Sequence, residues 1–235
     1  MRLPAAALAL ACALGCVPHA VPLAPAQQAR AATPVRVGGF SLTPPAGRWF
    51  VDPLAPDAAF VPLAQATSKR WGDFLASVAQ PRGDGVRLCR LSRVRWETAG
   101  GGATNPREGC ASFVPVALSA GEPAAASARA LADRLAPQAR AIENDFLGEP
   151  DFWRGVKWVR ARGEVGVLRV GAHELTDLHW VARGDEGRTL RGGGRALLLL
   201  GASGQALAIV VDDAKLVAPD GELWRVIASL EPTRR

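Results

Sequence analysis

The stretch HELTDLH, residues 173–179, gathers two imidazoles and two carboxylates within seven positions. On a strand, His173, Asp177 and His179 would project to one face, because strand side chains alternate. Two imidazoles and a carboxylate are the donor set of many zinc and iron sites. Six residues of regular strand span about 20 Å, whereas both ligands of one ion must lie about 2 Å from it. Only a bulge or a turn across 175–178 would bring His173 and His179 together. The expectation is a polar, solvent-facing strand side with no metal and no cofactor. His173, Asp177 and His179 stand as the metal candidates if the strand bends.

Nucleophilic chemistry finds little support elsewhere. Ser203 lies in GASGQ (201–205), which departs from G-x-S-x-G, and no histidine follows it. The hydrolase order of serine, acid and histidine therefore cannot be built, and Ser203-Gly204 reads as a hairpin turn. The glycine runs at 100–102 and 192–194 lack the Lys-Ser/Thr of a phosphate loop and read as loops. RGD occurs at 82–84 and 183–185, both at expected turns. Arg87, Arg90, Arg93 and Arg95 form one basic group, and Arg188, Arg191 and Arg195 form another. Were their strands adjacent, they would make one face for phosphate or anionic sugar; a solvated surface is the simpler reading. Carboxylate-only catalysis depends on spatial pairing that the chain order does not display.

The cysteines speak to compartment. Cys89 and Cys110 are the two outside the N-terminal region, and no CxxC is present. An even pair in an oxidising compartment reads as a disulfide, worth roughly 3 kcal/mol on loop-closure grounds. Two separate buried thiols are the alternative.

At the N terminus, Arg2 precedes an uncharged run, LPAAALALACALG at 3–15. That is shorter than the roughly 20 residues needed to span a bilayer, so it reads as an export signal. Cleavage at the small-x-small site Ala24-Pro25-Ala26 would leave a chain beginning at Gln27. The segment Ala13-Leu14-Gly15-Cys16 resembles the lipobox of bacterial lipoproteins. That resemblance implies that Cys16 is diacylated and becomes the first mature residue. The expected organisation is a signal peptide over 1–26, or 1–15 for a lipoprotein, a flexible Pro/Ala tether over 27–36, and a globular domain over 37–235.

The elements that must carry these residues follow from periodicity. Trp71, Phe74, Leu75 and Val78 recur at helical spacing within 68–80, with Ser68 as a cap. Leu131, Leu135, Ile142 and Phe146 do so within 123–147, where Pro137 should kink or divide the helix. Leu223, Ile227 and Leu230 predict a closing helix over 220–232. Between them lie strand-like runs: 86–96, 110–118, GVKWVRARG, EVGVLRVG, HELTDLHWVARG, RALLLLGA and QALAIVVDD. Two further short strands should flank a Pro-Pro-Ala-Gly turn within 37–51. Strand runs with segregated helices predict a single α+β domain built on an antiparallel sheet.

FSLTPPAGRWFV near the start and LWRVIASL near the end resemble the PsbP/DcrB-like fold. The matching features are Pro45, Gly47 and Trp49 in an opening hairpin and Ser229-Leu230 ending an amphipathic helix. The resemblance implies a non-catalytic binding or assembly protein, in several members membrane-anchored. The formal net charge of +6 suits adhesion to an anionic surface and is too modest to indicate nucleic acid. The expected function is that of a non-enzymatic envelope protein in the periplasm, with an envelope protein or anionic surface as partner. A hydrolase or metal-dependent periplasmic enzyme and a secreted adhesin or effector are the alternatives.

Overall fold

A computed structural model describes residues 19–22, 33–45, 49–61, 69–91, 94–97, 103–104, 107–118, 127–144, 158–184, 189–201, 205–211, 217–219 and 221–233. In chain order the strands begin with β1 (His19–Pro22), β2 (Val35–Val37), β3 (Phe40–Leu42) and β4 (Trp49–Leu54). Helix α1 (Lys69–Val78) precedes β5 (Ala79–Pro81), β6 (Gly85–Leu91), β7 (Val94–Glu97), β8 (Ala103–Thr104) and β9 (Arg107–Leu118). Helix α2 (Ala128–Arg140) is followed by β10 (Glu143–Asn144), β11 (Trp158–Val170), β12 (His173–Gly184), β13 (Thr189–Leu200) and β14 (Gln205–Val211). Helix α3 (Glu222–Ala228) and β15 (Glu231–Pro232) close the described chain.

These elements make an α+β domain around a large antiparallel sheet ordered β10-β11-β12-β13-β14-β9-β6-β4, with β5 pairing the far end of β9. Two small sheets flank it, β1-β7-β8 and β15-β3-β2. Alternation along each strand gives the large sheet two apolar faces. On one face Leu178, Trp180, Ala196, Leu198, Ala208 and Val210 meet α1 and α2. Trp71, Phe74, Leu75 and Val78 of α1 are all buried there, as the helical spacing predicted. Trp71 stacks on Phe74 at 5.2 Å between ring centroids and lies 5.7 Å from Trp180. It can sit so low only because β11 has a glycine beneath it. A Cβ on Gly163 would fall 2.2 Å from Trp71 Cζ3 and 2.9 Å from the Ala139 carbonyl oxygen.

Ser127 caps α2 by accepting from the Ala130 amide at 3.1 Å, and Thr176 Oγ1 donates to the Ala128 carbonyl at 3.0 Å, pinning that helix start to β12. The helix runs through Pro137 to Arg140. The proline thus removes one internal amide donor without dividing the helix.

The opposite face carries Leu175, Leu197, Leu199, Leu207, Ile209, Phe113 and Leu88. It is covered by the β2–β3 hairpin and by Leu223, Val226 and Ile227 of α3. The glycine run 192–194, expected as a loop, lies inside the single strand β13. The β2 strand begins at Val35, inside the stretch expected as tether. The two short strands of 37–51 do form but do not pair with each other. β3 joins β2 and β15, whereas β4 joins β6.

Candidate functional site

Cys89 and Cys110 face each other directly in the β6–β9 register and are joined by a disulfide, with Cα atoms 4.2 Å apart. Cys89 is fully buried. The bond ties two strands of the large sheet and closes the arginine- and glycine-rich segment into a loop.

The HELTDLH strand is β12, and it is regular. Its pairing with β11 runs without interruption from Arg160–Arg183 to Val170–His173. His173 and His179 therefore remain far apart, and His173 stays half-exposed. Asp177 and His179 do come together, but not on a solvent-facing side. They are 5 % and 7 % exposed, which corrects the solvated-strand expectation.

What makes their burial tolerable lies on the two neighbouring strands. Arg195 of β13 is opposite His179 in the register and is itself 7 % exposed. Its Nε donates to Asp177 Oδ1 at 3.0 Å, and a terminal nitrogen donates to Oδ2, a bidentate grip on the carboxylate. Glu164 of β11 is opposite His179 on the other side. His179 Nδ1 lies 3.3 Å from Asp177 Oδ2, in ion-pair rather than aligned hydrogen-bond geometry, and Nε2 lies 3.8 Å from Glu164 Oε2. Arg162 closes the row through two bonds to Glu164 Oε1, at 2.8 and 3.1 Å. The result is a polar row, Arg162–Glu164–His179–Asp177–Arg195, laid across three strands, with each carboxylate held by an arginine and the imidazole between them. Burial alone would raise the Asp177 carboxyl. The contacts and charges of His179 and Arg195 outweigh it and hold the group below the ordinary carboxylate range.

A buried Asp–His couple is half of a general-base device. Here the outer ring nitrogen meets a second carboxylate, already held by arginine, and among the described residues neither ring nitrogen meets a hydroxyl or thiol. Nor, among the described residues, is any group of three or more His, Cys, Asp or Glu placed to hold a metal ion. Both carboxylates are engaged by arginines, while the His179 Nδ1 atom is buried without an aligned hydrogen bond.

The strands that carry Arg87 and Arg90 on one side and Arg195 on the other are not neighbours. β6 and β13 are separated by β14 and β9. Arg195 is committed to Asp177, Arg87 Nε donates to Ser112 Oγ at 3.4 Å, and Arg90 Nε lies 3.6 Å from Glu222 Oε2. Glu222 also accepts from Trp49 Nε1 at 2.7 Å, so it joins the start of α3 to the sheet edge. Cys16, Ser68, Arg93, Phe146, Arg188, Ser203, Gly204 and the run 100–102 lie outside the described residues.

Glu164 and Arg162 were missed in the sequence, although a signal for them existed. Gly171, with φ of 59°, and Ala172 form a two-residue turn between Val170 and His173. Counting back from such a turn puts Glu164 opposite His179. Arg195 had no comparable signal, because the β12–β13 register shifts between His179 and Val181, where Gly192–Gly194 bulge out. No helix among the described residues is long and apolar enough to cross a membrane. No protein-family model matches the chain, and no curated protein matches it.

Proposed function

We propose that this chain is an exported bacterial envelope protein, acylated at Cys16, whose domain binds a partner or supports assembly and does not catalyse. The reading rests first on the Cys89–Cys110 bond between neighbouring strands, because structural disulfides persist in oxidising compartments. The N-terminal run LPAAALALACALG supplies the export signal. Strand β1 favours processing at Cys16 over Gln27: cleavage before Cys16 keeps the pairing of His19–Pro22 with Val94–Glu97, whereas cleavage after Ala26 discards it. The engagement of Asp177 by Arg195 and of Glu164 by Arg162 supports a non-catalytic role. The partner is an envelope protein or an anionic surface, in keeping with the basic net charge.

Palmitate labelling of the full chain in a bacterial host tests the reading. The wild type should incorporate label and partition into detergent, and Cys16→Ser should abolish both. Recovery of an unlabelled mature form beginning at Gln27 would overturn it.

A further inference from the structure

We infer that β1 clasps the acylated N terminus to the domain, so that the small β1-β7-β8 sheet is the surface lying against the lipid bilayer. The inference rests on acylation at Cys16, as proposed above, and concerns where that anchor holds the domain. All four residues of β1 are in register with β7: His19 with Glu97, Ala20 with Trp96, Val21 with Arg95 and Pro22 with Val94. The middle strand β7 is also paired on its other side, Trp96 with Thr104 and Glu97 with Ala103. Only Val17 and Pro18 separate Cys16 from the first paired residue. Three residue steps reach at most about 11 Å when fully extended. A lipid-bearing Cys16 therefore cannot leave the bilayer surface more than that distance from the end of β1. The first paired residue, His19, thus follows the anchor almost at once.

The far edge of the large sheet should stand away from the lipid. β11 is separated from β6, the strand that leads into β7, by β12, β13, β14 and β9, about 24 Å at ordinary strand spacing.

Depth measurement on the acylated protein decides the matter. With Cys16 acylated and Cys89 bonded to Cys110, a Glu97→Cys substitution provides a free thiol for a fluorophore, and Arg169→Cys provides a control on β11, where the native side chain is 75 % exposed. The protein is reconstituted in phosphatidylethanolamine–phosphatidylglycerol vesicles carrying a headgroup quencher. Quenching at position 97 should exceed that at position 169 several-fold. A twelve-residue Gly/Ser insertion between Pro18 and His19 leaves β1 intact but frees the anchor, and should erase the difference. Equal quenching at the two positions, or no effect of the insertion, overturns the inference. The mass of the N-terminal peptide, measured on the same samples, separates this failure from absence of acylation.

Discussion

Replacing Asp177 with leucine should destabilise the domain by about 3–5 kcal/mol, the usual cost of breaking a buried ion pair from one side. The magnitude follows from what remains. Arg195, with 8 % of its side chain exposed, would lose both acceptors of its bidentate grip and keep its charge out of water. His179 would keep only Glu164, 3.8 Å away. Arg195→Met alone should cost a similar amount, by stranding the Asp177 carboxylate. The double variant Asp177→Leu/Arg195→Met should recover more than half of the loss, since apolar replacement of both members of a buried pair is often close to neutral. Urea unfolding under non-reducing conditions reads these values, with an expected midpoint shift of about 1–2 M for each single variant.

Acid provides a second axis for the same variants. The folded-state pKa of Asp177 is lowered, so its contribution is complete above the ordinary carboxylate value and disappears as pH falls through the lowered one. The stability gap between wild type and Asp177→Leu should therefore be flat near neutrality and close only in strong acid. A single-variant loss below about 1 kcal/mol, or a double variant as unstable as the two losses added, would refute the structural account of the cluster. Retained stability combined with lost function would instead return Asp177 and His179 to an active role.

Gly163→Ala should cost a few kcal/mol, since the new methyl would overlap Trp71 and the Ala139 carbonyl, and neither has room to retreat; thermal unfolding by near-ultraviolet circular dichroism checks it. Cys89→Ser/Cys110→Ser should lose roughly 3 kcal/mol. Thiol counting on the unfolded, unreduced wild type should find neither cysteine reactive, and two reactive thiols would rule the bridge out.

The helices were legible because their apolar residues recur at a period that nothing else mimics. Trp71, Phe74, Leu75 and Val78, Leu131 and Leu135, and Leu223 and Ile227 are all buried on helices where periodicity put them. The closing helix expected to reach 232 instead ends at Ala228, leaving Leu230 buried beyond it and Glu231–Pro232 in a strand. Strand existence was legible too, but strand partnership was not. Phe40–Leu42 and Trp49–Leu54 were both foreseen, yet they belong to different sheets, because their partners lie elsewhere in the chain. Gly192–Gly194 hid a strand, since residues without side chains carry no alternation, although β13 runs on through them as a bulge. The polar row escaped for a related reason. Asp177 and His179 look polar and therefore solvated, and only the register with Glu164 and Arg195 shows which partners they meet in the interior.

The strand order has a consequence for how the chain folds. β4, β6 and β9 come from the N-terminal half and neighbour one another, while β11 to β14 form a consecutive meander from the C-terminal half. The halves meet along one seam, where β14 pairs β9 and Ile209 lies opposite Phe113. The C-terminal meander can zip from short loops, but the seam must join β9 to β14 across the whole intervening chain, which makes it the slow, topology-limited event. The Cys89–Cys110 bond sits on the early side of that seam, in the strand pair that includes β9. If the chain is exported as proposed and emerges N terminus first, oxidation can lock β6 to β9 before β14 has appeared. The later half then docks on a finished edge, and the exposed strand waiting for it is the point at which a chaperone or a stray copy of the chain would compete.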